Sequence, residues 1–202
     1  MTTPLTTRAG GHDMSAERFP TPSDETLTAL QREAINAVAG SRGAFGGPFV
    51  PLLHSPRLMR AIARVGEYLR FESDLPSSIF EMTVLVTARA WNQPFEWNHH
   101  APLAIKAGLD PACIADLAAQ RRPTNLDPTH LAAHDVVVEL IGTHQLDDET
   151  FATAASAFDE AALIEIIATA GYYSALAMIL NAGRISDETG SDQLPASIER
   201  SW

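Results

Sequence analysis

From Pro76 to Trp91 the chain reads PSSIFEMTVLVTARAW, and a helix drawn through it is apolar on every side, through Ile79, Phe80, Met82, Val84, Leu85, Val86 and Ala88. Such a helix needs neighbours all round, so it must be the middle of a helical assembly rather than its surface. The polar interruptions are Thr83, Thr87, Glu81 and Arg89, and a carboxylate on a buried helix has to find a partner or take up a proton. A second segment, Ala161 to Leu180, is nearly as apolar, with Glu165 its only charge. It has the length of a bilayer span, but it is Ala-rich, stands alone and has no basic flank on its N-terminal side. The expectation is a buried, oligomer-facing helix and no membrane.

The remaining segments can surround these two. Ser23 and Asp24 offer caps for a first helix with Leu27, Leu30, Ala34 and Val38 on one face and a stop at Gly40. The connector SRGAFGGPFVPLLHSP is too rich in Gly and Pro for regular structure and too apolar to float free, so it tucks against the core. Ser55-Pro56 starts a helix with a stripe at Leu58, Ile62, Val65 and Leu69, ending near Arg70. Asn92-Gln93-Pro94 turns the chain into a helix that runs to Ala107 and stops at Gly108, with Pro102 inside it. Further helices are expected over 112–120, over 130–144, after Asp147 or Asp148, and from an Asp159 cap to Asn181 and Gly183. No stretch alternates with period two, so the fold class is all-α. Residues 1–22 read as a flexible lead-in without the apolar core of a signal peptide, 23–185 as one helical domain and 186–202 as a tail.

Composition narrows the partners. The 202 residues carry a formal net charge of -11 with only 14 Lys and Arg, scattered, which excludes a phosphate-neutralising nucleic-acid binder. A small anionic substrate stays open, because one local Arg outweighs a distant global charge. Cys113 is the only cysteine, so there is no internal disulfide and no Cys-x-x-Cys pair, and the cytoplasm is the default location.

Chemistry concentrates in Phe95-Glu96-Trp97-Asn98-His99-His100. Glu96 and His100 are four apart and share a helix face, where a carboxylate can orient an imidazole or raise its pKa. Glu81 lies on the preceding helix, folded back alongside by a short turn, so two carboxylates and a histidine can converge. These intervals resemble the carboxymuconolactone decarboxylase and alkylhydroperoxidase-D-like superfamily. Its peroxidase branch carries a glutamate, a cysteine twelve residues on, a second cysteine three further and a histidine four beyond. Glu81, Gln93, Glu96 and His100 stand at those intervals, with both cysteines replaced. The decarboxylase branch also lacks the cysteine pair and has a glutamate four before the histidine.

The resemblance implies an AhpD-like helical bundle assembling as a homotrimer or homohexamer, and a cysteine-less member doing proton chemistry on a small, anionic, unsaturated lactone or keto acid, without a cofactor. In that scheme His100 donates or shuttles the proton, Glu96 orients it and Glu81 completes the relay. Arg89 or His99 receives the anionic end of the substrate, and Gln93, Trp97 and Phe95 line its site. Thiol peroxidase chemistry needs two neighbouring sulfurs, and Cys113 lies on another helix. A metal is not expected, because adjacent histidines point about 100° apart on a helix. The alternatives are a peroxidase-related oxidoreductase that has lost its cysteines and a non-catalytic oligomeric binding protein of the same fold.

Overall fold

A computed structural model describes residues 18–43, 45–185 and 194. The expected lead-in up to residue 17, and the expected tail apart from Leu194, lie outside the described residues. Among the described residues there are helices and no strand: α1 (Ala29–Arg42), α2 (Phe49–Leu52), α3 (Pro56–Glu67), a π-helical turn (Tyr68–Glu72), α4 (Ser77–Ala90), α5 (Pro94–Lys106), α6 (Pro111–Ala118), α7 (Pro128–Thr143), α8 (Asp148–Ala157) and α9 (Glu160–Gly183).

The all-round apolar helix, α4, is the axis of the bundle and packs against α5, α7 and α9. Every residue from Ile79 to Arg89 is buried. Ile79, Met82, Leu85 and Val86 enter an apolar cluster with Trp97, Leu117, Val136 and Ile166, whereas Phe80 and Val84 join Leu53, Met59, Tyr173 and Leu176 on the other side. Each fully buried Leu, Val or Met is worth ~1.5–3 kcal/mol over exposure, so the central position is what this sequence demands. Arg89, wholly buried at the end of α4, donates Nε–H to Ala118 O at 2.6 Å and Nη1–H to Asn92 Oδ1. It thus lies between the C-terminal ends of α4 and α6, where carbonyl dipoles substitute for a counter-ion.

Several boundaries differ from expectation. The cap of α1 is Thr28, in a reciprocal capping box with Gln31, and the helix continues through Gly40 to the left-handed Gly43. Ala34 and Val38 are buried as expected, but Leu30 is exposed. On α3 the buried line is Met59, Ala63, Gly66 and Leu69; of the expected stripe Leu69 is buried and Ile62 partly so, but Leu58 and Val65 are each 49% exposed. Both series have helical spacing, and periodicity alone does not say which of two neighbouring apolar lines turns inward. Arg18 and Phe19, expected in the lead-in, pack on the end of α9, with Arg18 N–H donating to Gly183 O at 2.9 Å.

Past α3 the chain does not simply stop. Ser73 N–H reaches back to Tyr68 O at 2.9 Å, an i→i+5 closure. The widened turn is held from outside by Glu165 of α9, whose carboxylate accepts Tyr68 Oη–H at 2.6 Å and Ser73 Oγ–H at 2.5 Å. The only charge of the central part of α9 is therefore in use. By length and composition α9 is the one described helix able to cross a membrane, and half of that window is buried inside the fold. Leu163, Ile166, Ala170, Tyr173 and Leu176 face inward, and Ile164 and Met178 face outward at 64% and 48% exposure.

On α7, His134 is buried and donates Nδ1–H to Asp135 at 2.9 Å, while Asp135 also takes three bonds from Arg122. Burial pulls the imidazole below its ordinary 6.5 more strongly than Asp135 lifts it. The unfolded chain therefore takes up this proton first. The stabilising contribution is complete above pH 6.5 and is lost as pH falls through the depressed folded value. Melting temperatures measured from pH 7.5 to 5.5 should fall less steeply in His134→Gln than in the parent.

Candidate functional site

The site begins with a turn. After α4, Asn92 adopts φ 48° and Gln93 caps α5, its Oε1 accepting Phe95 N–H at 2.8 Å. Pro94 at the first helical position costs no bond there, and the helix assignment continues unbroken through Pro102. This tight return lays α5 along α4 and brings His100 beside Glu81, nineteen positions earlier: His100 Nδ1 lies 2.7 Å from Glu81 Oε2. On its other edge, His100 Nε2 is 3.6 Å from Glu96 Oε2, the i,i+4 neighbour on the same helix. All three side chains are buried, and His100 is 1% exposed.

Aromatic edges fix the ring. Tyr173 lies 5.0 Å from the His100 centroid at 88° and Phe80 6.4 Å at 60°, both edge-on, and His99 is 5.0 Å away at 77°. Burial first, and then the nearby Glu96 charge, raise the Tyr173 phenol well above its ordinary value, so it stays protonated and is no base.

Above this cluster is a cavity of about 380 Å³, a volume suited to a small organic molecule. Glu96, His99 and His100 form its polar end; Phe45, Phe49, Phe71, Phe95, Tyr173 and Leu176 form most of its apolar wall, and Arg70 completes it. Gly47 sits in the wall at φ 58°, and a Cβ there would come within 2.5 Å of the Phe95 ring.

Of the residues the sequence put forward, Glu81, Glu96 and His100 are brought together, and His99 and Phe95 line the cavity. Gln93 serves as the α5 cap and donates Nε2–H to Asn181 Oδ1 at 2.8 Å. Trp97 is 1% exposed in the core cluster, one helical step away from the line through Glu96 and His100. Arg89 is committed to the ends of α4 and α6 and does not line the cavity. Sequence reasoning missed Arg70 and Phe71, because a π turn leaves no periodic signature. The aromatics of the Gly/Pro-rich connector were legible as apolar loop residues but not as this wall.

Among the described residues no group of three or more His, Cys, Asp or Glu side chains is arranged to hold an ion. Cys113 is buried in α6, and burial followed by the charges of Asp116 and Asp110 pushes its thiol up to about 11.

The all-helical bundle, whose two central helices clasp a histidine between glutamates, has an AhpD-like fold. An alkylhydroperoxidase AhpD core protein, described as an uncharacterized peroxidase-related protein from Ralstonia eutropha, superposes with TM-score 0.70 at 20% identity, covering 86% of this chain and 93% of its own. The debrominase Bmp8 superposes with TM-score 0.69 at 14% identity, covering 85% and 92%. A variant of that debrominase in complex with 2,3,4-tribromopyrrole gives TM-score 0.67 at 14%, covering 84% and 90%. At these identities the likeness is one of fold. No curated protein matches the sequence. Residues 56–139, from the start of α3 into α7 and including both site helices, match the family model described as the carboxymuconolactone decarboxylase family.

Two consequences can be checked. Gly47→Ala forces a strained left-handed alanine and drives the Phe95 ring toward the cavity. A loss of about 1–2 kcal/mol is expected by thermal denaturation, together with weaker binding of any cavity ligand. Cys113 should resist iodoacetamide in the native protein and take up one equivalent after denaturation, read by mass spectrometry.

Proposed function

We propose that the chain is a cofactor-free acid/base enzyme, a lyase or isomerase acting on a small unsaturated lactone or keto acid. The observation that carries this reading is the His100 ring held 2.7 Å from Glu81 on one nitrogen and presenting the other to Glu96 and the cavity. Glu81 does not line the cavity and is the orienting partner; it accepts Nδ1–H and sets the ring with Nε2 toward Glu96. Glu96, farther from the ring and in the cavity wall, is the group that exchanges protons with His100 during turnover. These two roles are the reverse of the ones expected from sequence spacing.

In a decarboxylation, the bond from the substrate carboxylate to carbon breaks and its electrons pass into a conjugated carbonyl, giving a dienolate. Nε2–H of the imidazolium then protonates carbon, and the ring regains its proton through Glu96. In an isomerisation, the same pair removes a proton from one carbon and returns it at another. The aromatic wall keeps water from the carbanionic intermediate. The fold itself admits a planar ring, since the debrominase complex holds a tribrominated pyrrole.

The outward line of α9 with Ile164 and Met178 is apolar and exposed in a single chain. An exposed apolar line of this kind supports a homo-oligomer; a trimer or hexamer in the cytoplasm belongs to the same reading.

The test is a screen of unsaturated lactones and β-keto acids by loss of conjugated absorbance. His100→Gln should cut kcat/KM by about 10²–10⁴-fold and Glu81→Gln by a smaller factor. Turnover that survives His100→Gln unchanged would overturn the assignment.

A further inference from the structure

We propose that Arg70 is the specificity-determining residue of the cavity. It takes the carboxylate of a planar, conjugated, ring-sized acid whose apolar body lies along the aromatic wall toward His100. The inference rests on reading this cavity as the substrate site, and assigns its chemical preference.

Four observations converge. Apart from the imidazoles, Arg70 is the only cationic side chain lining the cavity among the described residues. It comes from the π turn, a different element from the α5 helix that carries Glu96, His99 and His100. Among the described residues it makes no hydrogen bond and no ion pair; its guanidinium carbon lies 5.4 Å from the ring centroid of its neighbour Phe71. That is unusual company in a chain with 25 acidic residues against 14 basic ones. Arg64, six positions earlier, is bound to Glu72, Arg121 to Asp116 and Arg122 to Asp135.

A guanidinium offers a planar fork of donors that matches a carboxylate bidentately, and burying it against aromatics without an acid leaves those donors for a ligand. The turn that carries it is held in a defined shape rather than left loose. Tyr68 and Ser73, flanking Arg70, both donate to Glu165. With one cation and six apolar side chains along the wall, the cavity is built for a flat apolar body with a single negative end. Dicarboxylates and sugar phosphates would leave charge against phenylalanines.

Calorimetric titration of the full chain with benzoate, 2-furoate and the neutral isostere benzamide tests this. The parent should bind both carboxylates at least tenfold more tightly than benzamide. Arg70→Gln should lose that discrimination with its benzamide affinity unchanged, and Arg70→Lys should keep part of it. His100→Gln should still prefer benzoate to benzamide, whatever its absolute affinity, which separates anion recognition from the proton relay. No benzoate binding by the parent, or equal benzoate affinity in parent and Arg70→Gln, overturns the proposal. Loss of turnover in His100→Gln alongside either result would leave the relay standing without this anion site. Circular dichroism confirms folding of each variant, and Arg70, only half-buried, makes no bond whose loss would unfold the chain.

Discussion

The contact between Glu81 and His100 is the interaction on which the rest of the structure depends. A carboxylate in the middle of a buried helix is a liability unless a donor reaches it. The donor here arrives from α5, which can lie close enough only because the chain turns back within Trp91 to Gln93. The costs of burying an acid and an imidazole therefore offset each other, and the pair pins the two central helices in register. The cavity, the aromatic contacts around the ring and the path of α9 through Tyr173 all follow from that register.

What results is a site with two electrostatic regimes. The polar end is a histidine between carboxylates, insulated by aromatic edges and suited to passing a proton. The opposite regime is an apolar wall with one free guanidinium. The thiol of Cys113, raised by burial and set in another helix, takes no part. At the intervals where the resemblance places sulfur, this chain has the α5 cap Gln93 and the buried carboxylate of Glu96.

Much of this was legible in the sequence. All-round apolarity placed α4 at the centre, the cap residues Asp147 and Asp159 marked two helix starts, and the Glu81, Glu96 and His100 intervals named the three residues that meet. Three things were not legible. Two neighbouring apolar lines on α3 compete for the interior, and packing decides in favour of the one through Met59. Residues adjacent in sequence diverge on a helix, so Trp97 goes to the core while Glu96 faces the cavity. Arg89 looked like an anion receiver because it lies near the cluster in sequence, but helix ends that needed a cation claim it. The π turn has no sequence signal at all, and with it went Arg70.

That turn is fastened by a carboxylate belonging to α9, the same helix that contributes Tyr173 and Leu176 to the cavity. His100 is held instead by the pair α4 and α5. The parts that select a molecule and the parts that transform it are thus mounted on separate struts of one frame. Exchange of Tyr68, Ser73 or Glu165 would re-aim the guanidinium while leaving the imidazole in place. In a fold arranged this way, the turn that carries Arg70 can change its aim without disturbing the contact between Glu81 and His100.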